Sequence, residues 1–386
     1  MVIALWVVAC TSACWWLWQT VAFMRTVATV PRLAPDPSIE LTEGVSVICP
    51  ARDEGDEIEA AMGTRLSDAS PQLEFIAVDD RSDDDTGAIL EALAQEDSRL
   101  QVLHLEDCPE GWLGKVHAQQ RGVDLATHDW LLFSDGDTHV EPGTVAVAQA
   151  WAIEQRADIV AFTPRIVDGP WMLRAGVTAL MRMLLGGLKL WEANRDDRPR
   201  VMGVGAFNLV RRAALERAGG LEQLRMEVAD DVGLAQIVVD AGGRARLATC
   251  PDGVWIRWYR TLRDLLRGTE KGCAKAGSRA KLMLGLAMWW LLLVLELAPF
   301  VLWAWWPIAP AIIAASTGLV AVALCLSVAL RFSLPRGWAL LVPVSTLVTA
   351  AILLRSLVLA IVRGGIRWKG DAHTLAAARA GEKVQL

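Results

Sequence analysis

The chain is short of the residues that mark most soluble and secreted classes. It has one tyrosine against 18 tryptophans in 386 residues. Its cysteines (Cys10, Cys14, Cys49, Cys108, Cys250, Cys273 and Cys325) are odd in number and contain no C-x-x-C pair. Nothing in that pattern indicates zinc or a disulfide framework, in keeping with a reducing compartment. The five histidines show no metal spacing, although His139 follows closely on an Asp-x-Asp and is a candidate supporting ligand. Charge is absent from residues 1–24, and 282–362 carry only Glu296, Arg331, Arg336 and Arg355. A fully soluble, disordered or collagen-like chain is thereby excluded. The net charge of −6 gives no global basic field, so nucleic acid is not an expected partner. The first strand–helix junction reads Pro50-Ala51-Arg52-Asp53-Glu54-Gly55. It has no G-x-G-x-x-G, and no phosphate loop of the G-x-x-x-x-G-K type occurs, so the glycine amides of dinucleotide and P-loop folds are missing.

What is present begins with apolar runs. About 20 apolar residues cross a bilayer core, and residues 1–24 qualify as an N-terminal transmembrane helix. A secretory signal is the competing reading, but no basic residue precedes Arg25. Residues 282–362 hold three further candidates, at 282–306, 307–330 and 338–362, with a turn expected at Trp305-Trp306-Pro307. The basic run at 257–281 (Arg257, Arg260, Arg263, Arg267, Lys271, Lys275, Arg279 and Lys281) places the end of the hydrophilic region in the cytoplasm. Arg25, Arg32, Arg331 and Arg336 agree with that side. The last run conflicts with it. It is long enough to cross, and a crossing is expected, yet that would carry Arg363, Arg367 and Lys369 of the 363–386 polar tail outside. A re-entrant or interfacial course is the alternative.

Between the spans, residues 44–256 alternate short β-branched runs with helical stretches. Strands are expected at 45–49, 75–78, 102–105, 130–134 and 159–162, and helices at 54–66, 84–94, 115–126 and 142–155. This is the pattern of an α/β domain with a mostly parallel sheet. Ligands of such sheets bind beyond the carboxyl ends of the strands, where the acids of this chain cluster.

Ser134-Asp135-Gly136-Asp137-Thr138 follows an apolar strand, and its two carboxylates can share Mg²⁺ or Mn²⁺ with diphosphate oxygens. Asp79-Asp80-Arg81-Ser82-Asp83-Asp84 is denser in acid than a turn needs. Its later acids suit helix capping, and Asp79 or Asp80 suits a nucleoside. Gly111-Trp112-Leu113-Gly114-Lys115 puts a lysine at a helix start, against the macrodipole, which makes sense if an anion sits nearby. Ala229-Asp230-Asp231 opens another helix; its acids favour the helix start, and one can serve as a general base.

In this order, the segments at 50–54, 79–84, 111–115, 134–138, 203–212 and 229–231 resemble family 2 glycosyltransferases with a GT-A fold. Within that family the chain resembles membrane-bound enzymes of hopanoid or carotenoid glycosylation, which share the Gly-Trp-x-Gly-Lys segment and a late aromatic-Lys-Gly, here Trp368-Lys369-Gly370. The resemblance covers roughly residues 1–370. It implies an inverting transfer of one sugar from a nucleotide-sugar donor to a lipid hydroxyl, at a cell membrane and most simply a bacterial inner membrane. Asp53 and Asp79 or Asp80 would contact the nucleotide, Lys115 the diphosphate, Asp135 and Asp137 the metal. Asp231 would be the catalytic base beside Asp230. The segment around Gly205 would wall the acceptor site. Processive relatives carry Gln-x-x-Arg-Trp; here Arg257-Trp258 is present with Val254 in the glutamine position, which favours single-sugar transfer over a polysaccharide synthase. A transporter or scaffold is the remaining alternative, opposed by how few charges lie within the spans. Residues 171–191 and 258–275 set leucines among basic residues and are expected to lie in the membrane interface.

Overall fold

The computed structural model describes residues 2–197, 201–269, 279–301, 308–363, 365–368 and 371–374. In chain order the helices are α1 (Val2–Thr29), α2 (Ile58–Leu66), α3 (Thr86–Glu96), α4 (Gly114–Leu125), α5 (Thr144–Glu154), α6 (Trp171–Gly187), α7 (Arg212–Arg217), α8 (Asp230–Asp240), α9 (Leu262–Gly268), α10 (Arg279–Val301), α11 (Ile308–Arg331), α12 (Arg336–Leu340) and α13 (Val342–Arg363). The strands are β1 (Val45–Ala51), β2 (Leu73–Asp80), β3 (Leu100–Leu105), β4 (Trp130–Phe133), β5 (Thr138–Val140), β6 (Ile159–Thr163), β7 (Arg165–Ile166), β8 (Asn208–Arg211), β9 (Ala245–Thr249), β10 (Val254–Ile256), β11 (Gly365–Trp368) and β12 (Asp371–Thr374).

The chain forms two units. One comprises Thr29–Ile166 and Glu192–Arg257 and holds a seven-stranded sheet in the order β3-β2-β1-β4-β8-β6-β9. β1 to β4 are mutually parallel; β8 runs antiparallel to both β4 and β6, and β9 is parallel to β6. The expected α/β class and mostly parallel sheet are therefore what the chain adopts. β1 explains why the sheet is covered on both sides. Val45, Val47 and Cys49 enter one core with Ile58, Met62 and Leu90, while Ile48 enters a second with Val116, Phe133, Val210 and Leu234. Side chains alternate along a strand, so a run apolar at nearly every position is buried on both faces. A smaller sheet, β5-β10-β7, lies beyond the end of β4. The chain order reverses beside β1, whose neighbours are β2 and β4. That is the switch point at which open α/β sheets form a ligand crevice.

The other unit draws on Met1–Ala28, Val167–Trp191 and the chain from Trp258 onward. Four of its helices are long and apolar enough to cross a membrane: Leu5–Thr29, Ala280–Val301, Ala309–Arg331 and Val342–Arg363. The expected domain at 44–256 is thus interrupted, because α6 belongs to the helical unit. Its fit there is close: Thr349 Oγ1 donates to Gly176 O at 2.9 Å, and a Cβ at Gly176 would crowd that hydroxyl at 2.8 Å. Of the two arginines of α6 expected to face lipid headgroups, Arg174 is exposed, but Arg182 is 1 % exposed and pairs in a fork with Glu296 of α10. A carboxylate on an apolar helix needs a cation more than that cation needs the headgroup layer. The expected turn at Trp305-Trp306-Pro307, and Lys271, Lys275, Lys369 and Gly370, lie outside the described residues.

Candidate active site

The acids that end the parallel strands meet at the switch point. β1 ends at Ala51, and Asp53 follows in a left-handed conformation (φ 54°). Its backbone N–H donates to Ser82 Oγ, and its Oδ1 accepts from the Asp83 N–H at 2.9 Å, which ties the loop after β1 to the loop after β2. Asp53 stays half exposed. Asp79 and Asp80 end β2, and both are nearly buried. Asp79 accepts the Ser82 N–H on Oδ1, and its Oδ2 meets His104 Nδ1 at 2.9 Å. Asp80 takes the Arg81 Nε–H at 2.8 Å. Its other oxygen lies so close to the start of α4 that a Cβ at Gly114 would collide with it. Glycine is therefore the residue that lets this helix start approach the strand end.

Lys115 stands one residue into α4, and the anions that justify its place are the protein's own. Its Nζ lies 2.7 Å from Asp135 Oδ1 and 3.1 Å from Asp230 Oδ2. Burial opposes its charge, but Asp135, Asp230 and Asp231 outweigh that and hold the ammonium well above the usual lysine value. Gln119, one turn later, donates to Asp230 Oδ2 at 3.0 Å. Asp231 accepts the Gly205 N–H on Oδ2 at 3.0 Å and the Val232 N–H on Oδ1 at 2.8 Å. Burial first, and then the neighbouring Asp230 charge, push its carboxyl above the ordinary aspartate range. Gly205 also accepts the Asp135 N–H, and a Cβ there would approach Asp135 Oδ2 at 2.6 Å. Lys115, Asp135, Gly205, Asp230 and Asp231 thus form one cluster drawn from α4, the loop after β4, the loop before β8 and the start of α8.

Beneath the Asp-x-Asp loop lies a residue that motif reading misses. Arg65, 2 % exposed, donates to Cys49 Sγ at 2.9 Å, to Ser134 Oγ at 3.3 Å and to the carbonyl of Asp135. The available signal is its position in the buried stripe of α2 with Ile58, Ala61 and Met62. His139 is also placed otherwise than as a ligand. It stacks on Trp255 with ring centroids 3.4 Å apart, and burial and then Arg65 push its pKa down to about 4. It is a neutral packing partner there. Arg257 contacts Glu57 at 3.3 Å, and Trp258 opens the helical unit, stacked on Tyr259.

Among the described residues no three His, Cys, Asp or Glu side chains gather as a metal set. Asp135 and Asp137 nevertheless fit a divalent cation that takes its other oxygens from a diphosphate. Burial and then the Asp135 charge push Asp137 up to about 6. A cation relieves that repulsion, and the donors are the hard oxygens that Mg²⁺ and Mn²⁺ prefer.

Comparison with known proteins bears on the domain and its fold. Residues 46–219 match the family described as glycosyl transferase family 2. The chain is 28 % identical over 148 residues to a 4,4'-diaponeurosporenoate glycosyltransferase of Staphylococcus haemolyticus, covering 38 % of each. It is 28 % identical over 120 residues to the glycosyltransferase GlyG of Streptococcus pneumoniae, covering 31 % of this chain and 38 % of that one. It is 23 % identical over 198 residues to a poly-beta-1,6-N-acetyl-D-glucosamine synthase of Staphylococcus aureus, covering 51 % and 46 %. These matches each span less than half of the relative. In fold the chain is similar to the mannosyltransferase PcManGT of Pyrobaculum calidifontis, solved with GDP-Man and Mn²⁺, at a TM-score of 0.55 and 19 % identity, covering 94 % of this chain and 97 % of that one. Residues 46–219, which hold most of the parallel sheet and the acids at its strand ends, thus form a domain that matches the glycosyl transferase family 2 model, on a fold similar to that of a solved GT-A-like enzyme.

Proposed function

We propose that the protein is a membrane-bound inverting glycosyltransferase that moves one sugar from a nucleotide-sugar donor to a hydroxyl of a lipid acceptor, at the cytoplasmic face. Hopanoids, carotenoids and other polyisoprenoid lipids are the acceptor class. The observation that carries this reading is the Lys115–Asp135–Asp230–Asp231 cluster at the switch point, in a chain with four long apolar helices. The likeness to a carotenoid-acid glycosyltransferase supports the acceptor class.

In this reading Asp53, Asp79 and Asp80 hold the nucleoside. Asp135 and Asp137 would hold Mg²⁺ or Mn²⁺, which when bound would neutralise charge on the diphosphate. Lys115 exchanges Asp135 for a diphosphate oxygen, adding a fixed positive charge where negative charge grows on the leaving group. Asp231 takes the proton from the acceptor hydroxyl; its raised pKa suits a base, and the Gly205 N–H fixes its orientation. The acceptor oxygen then forms its bond to the anomeric carbon as the bond to the diphosphate breaks on the opposite face, inverting that carbon. Gly205 and its neighbours wall the acceptor side.

The test uses the full chain in lipid nanodiscs, with a panel of labelled nucleotide sugars and a total lipid extract. One labelled glycolipid carrying a single sugar, formed with divalent cation and lost on chelation, is expected. A ladder of long products would instead favour a polysaccharide synthase. Donor binding indifferent to cations and no transfer would favour a scaffold.

A further inference from the structure

The fourth apolar helix carries an arginine near its middle and a basic tail behind it, which a crossing would expose on the wrong side. The packing of α13 within the helical unit resolves this. Leu282 of α10 packs with Leu357, Ala360 and Ile361. Gly285 faces Leu357, its Cβ position 3.6 Å from that side chain. Trp289 Nε1 donates to Ala350 O at 2.9 Å. Rising numbers on α10 meet falling numbers on α13, so the two helices are antiparallel and the end of α13 lies beside the start of α10.

That start follows the basic run placed in the cytoplasm by the positive-inside rule. α10 therefore leads outward and α11 leads back, which brings Arg331 and Arg336 inside. A crossing by α13 would then also lead outward, parallel to α10. The observed pairing is the reverse. Arg355 marks the same level from another side. Its Nη1 donates to Leu266 O of α9 at 2.6 Å, and Ser356 Oγ meets Thr269 Oγ1 at 3.1 Å. α9 carries Arg263 and Arg267 and starts with a capping box of Thr261 and Asp264, features of a helix at the polar layer. The indoles of Trp289 and Trp290 suit the aromatic belt just above it. From Ala350 back to Val342 is eight residues, about 12 Å of helix, against a hydrocarbon core of about 30 Å.

We infer that α13 does not cross the membrane: its first turns dip into the cytoplasmic leaflet, and its second half returns along the cytoplasmic surface beside α9, leaving the basic tail on the side of the catalytic domain. The inference rests on the cytoplasmic orientation proposed above.

Single cysteines introduced into the full chain test it, with a membrane-impermeant maleimide applied to intact spheroplasts and to inverted vesicles. Asp240→Cys on the exposed end of α8 reports the catalytic domain, Gly337→Cys the segment before the dip, Leu347→Cys the dip and Val362→Cys the return. Labelling above the parent chain is expected in inverted vesicles alone for positions 240, 337 and 362, and in neither preparation for 347. Labelling of 362 in spheroplasts with 240 protected would show an outward crossing and overturn the inference. So would labelling of 337 from outside with 362 inside, which is an inward crossing, or labelling of 347 from the cytoplasm. Labelling of 240 in spheroplasts would instead overturn the cytoplasmic orientation itself.

Discussion

The buried ion pair of the helical unit gives a sharp test of what holds that unit together. Arg182 and Glu296 are 1 % and 2 % exposed. Arg182 Nη2 reaches Glu296 Oε2 at 2.6 Å and Nη1 reaches Oε1 at 2.9 Å. Trp15 Nε1 and Gln19 Nε2 donate to the same Oε1 at 2.7 and 3.0 Å, Gln19 also accepts from Arg182, and the guanidinium lies 4.4 Å from the Trp16 ring centroid. Glu296→Gln keeps the shape but removes the charge and turns an amide N–H₂ toward donors. Breaking one side of a buried pair costs about 3–5 kcal/mol, whereas replacing both sides by apolar residues is often near neutral. Here the double change Arg182→Met with Glu296→Leu still strands Trp15 and Gln19, at about 1–3 kcal/mol for each unsatisfied group. The double variant should therefore be less stable than wild type yet no worse than Glu296→Gln alone. Thermal unfolding in detergent, followed by a thiol dye at Cys325, reads this out, because that buried thiol lies against Arg182. A single variant that loses less than about 1 kcal/mol, or a double variant at the sum of the two singles, would refute the reasoning.

Three further outcomes follow from the candidate active site. Asp231→Asn should lower turnover by about 10²–10⁴-fold while calorimetric donor affinity stays near wild type; normal turnover would remove Asp231 from the role of base. Gly203→Ala should lower activity more than it lowers melting temperature, because its Cβ collides with the Asp231 carbonyl and shifts the base; unchanged kinetics would show that the segment yields. His104 is held above its ordinary 6.5 by hydrogen bonds to Asp79 and then Glu91. The sign follows from linkage: protonated His104 supports the fold fully below its unfolded pKa, and this support fades as pH rises through the raised folded value. Wild type should therefore lose melting temperature relative to His104→Gln as pH rises from 6.5 upward, and parallel curves would exclude the link.

The acid-lined end of the sheet is largely legible in the sequence, for physical reasons. The apolar β1 and β4 segments must be buried, and acids placed directly after buried strands have little to do except bind. Lys115 at a helix start demands an anion, and the structure supplies Asp135 and Asp230. Arg65 escapes because one basic residue in a helical stripe has the sequence signature of a surface residue; its carbonyl, hydroxyl and thiol partners come from β1 and the loop after β4. β8 is missing from the expected strands because it is only four residues long behind a glycine-containing stretch, and nothing local sets it antiparallel between β4 and β6. The burial of Arg182 in α6 escapes for a similar reason. The leucines and arginines of α6 have the composition of an interfacial helix, and the carboxylate that buries Arg182 lies 114 positions later in the chain.

The excursion of the chain through α6, between β7 and β8, bears on modularity. The helical unit is assembled from three separate stretches, one of them internal in sequence to the α/β unit. Cutting at residues 29 and 257 would therefore not free a soluble enzyme, since the fragment would keep α6 and an Arg182 without its carboxylate. Nor can such an anchor be exchanged as a cassette. Because the helical unit is interleaved in sequence with the α/β unit, neither can be swapped as one contiguous block.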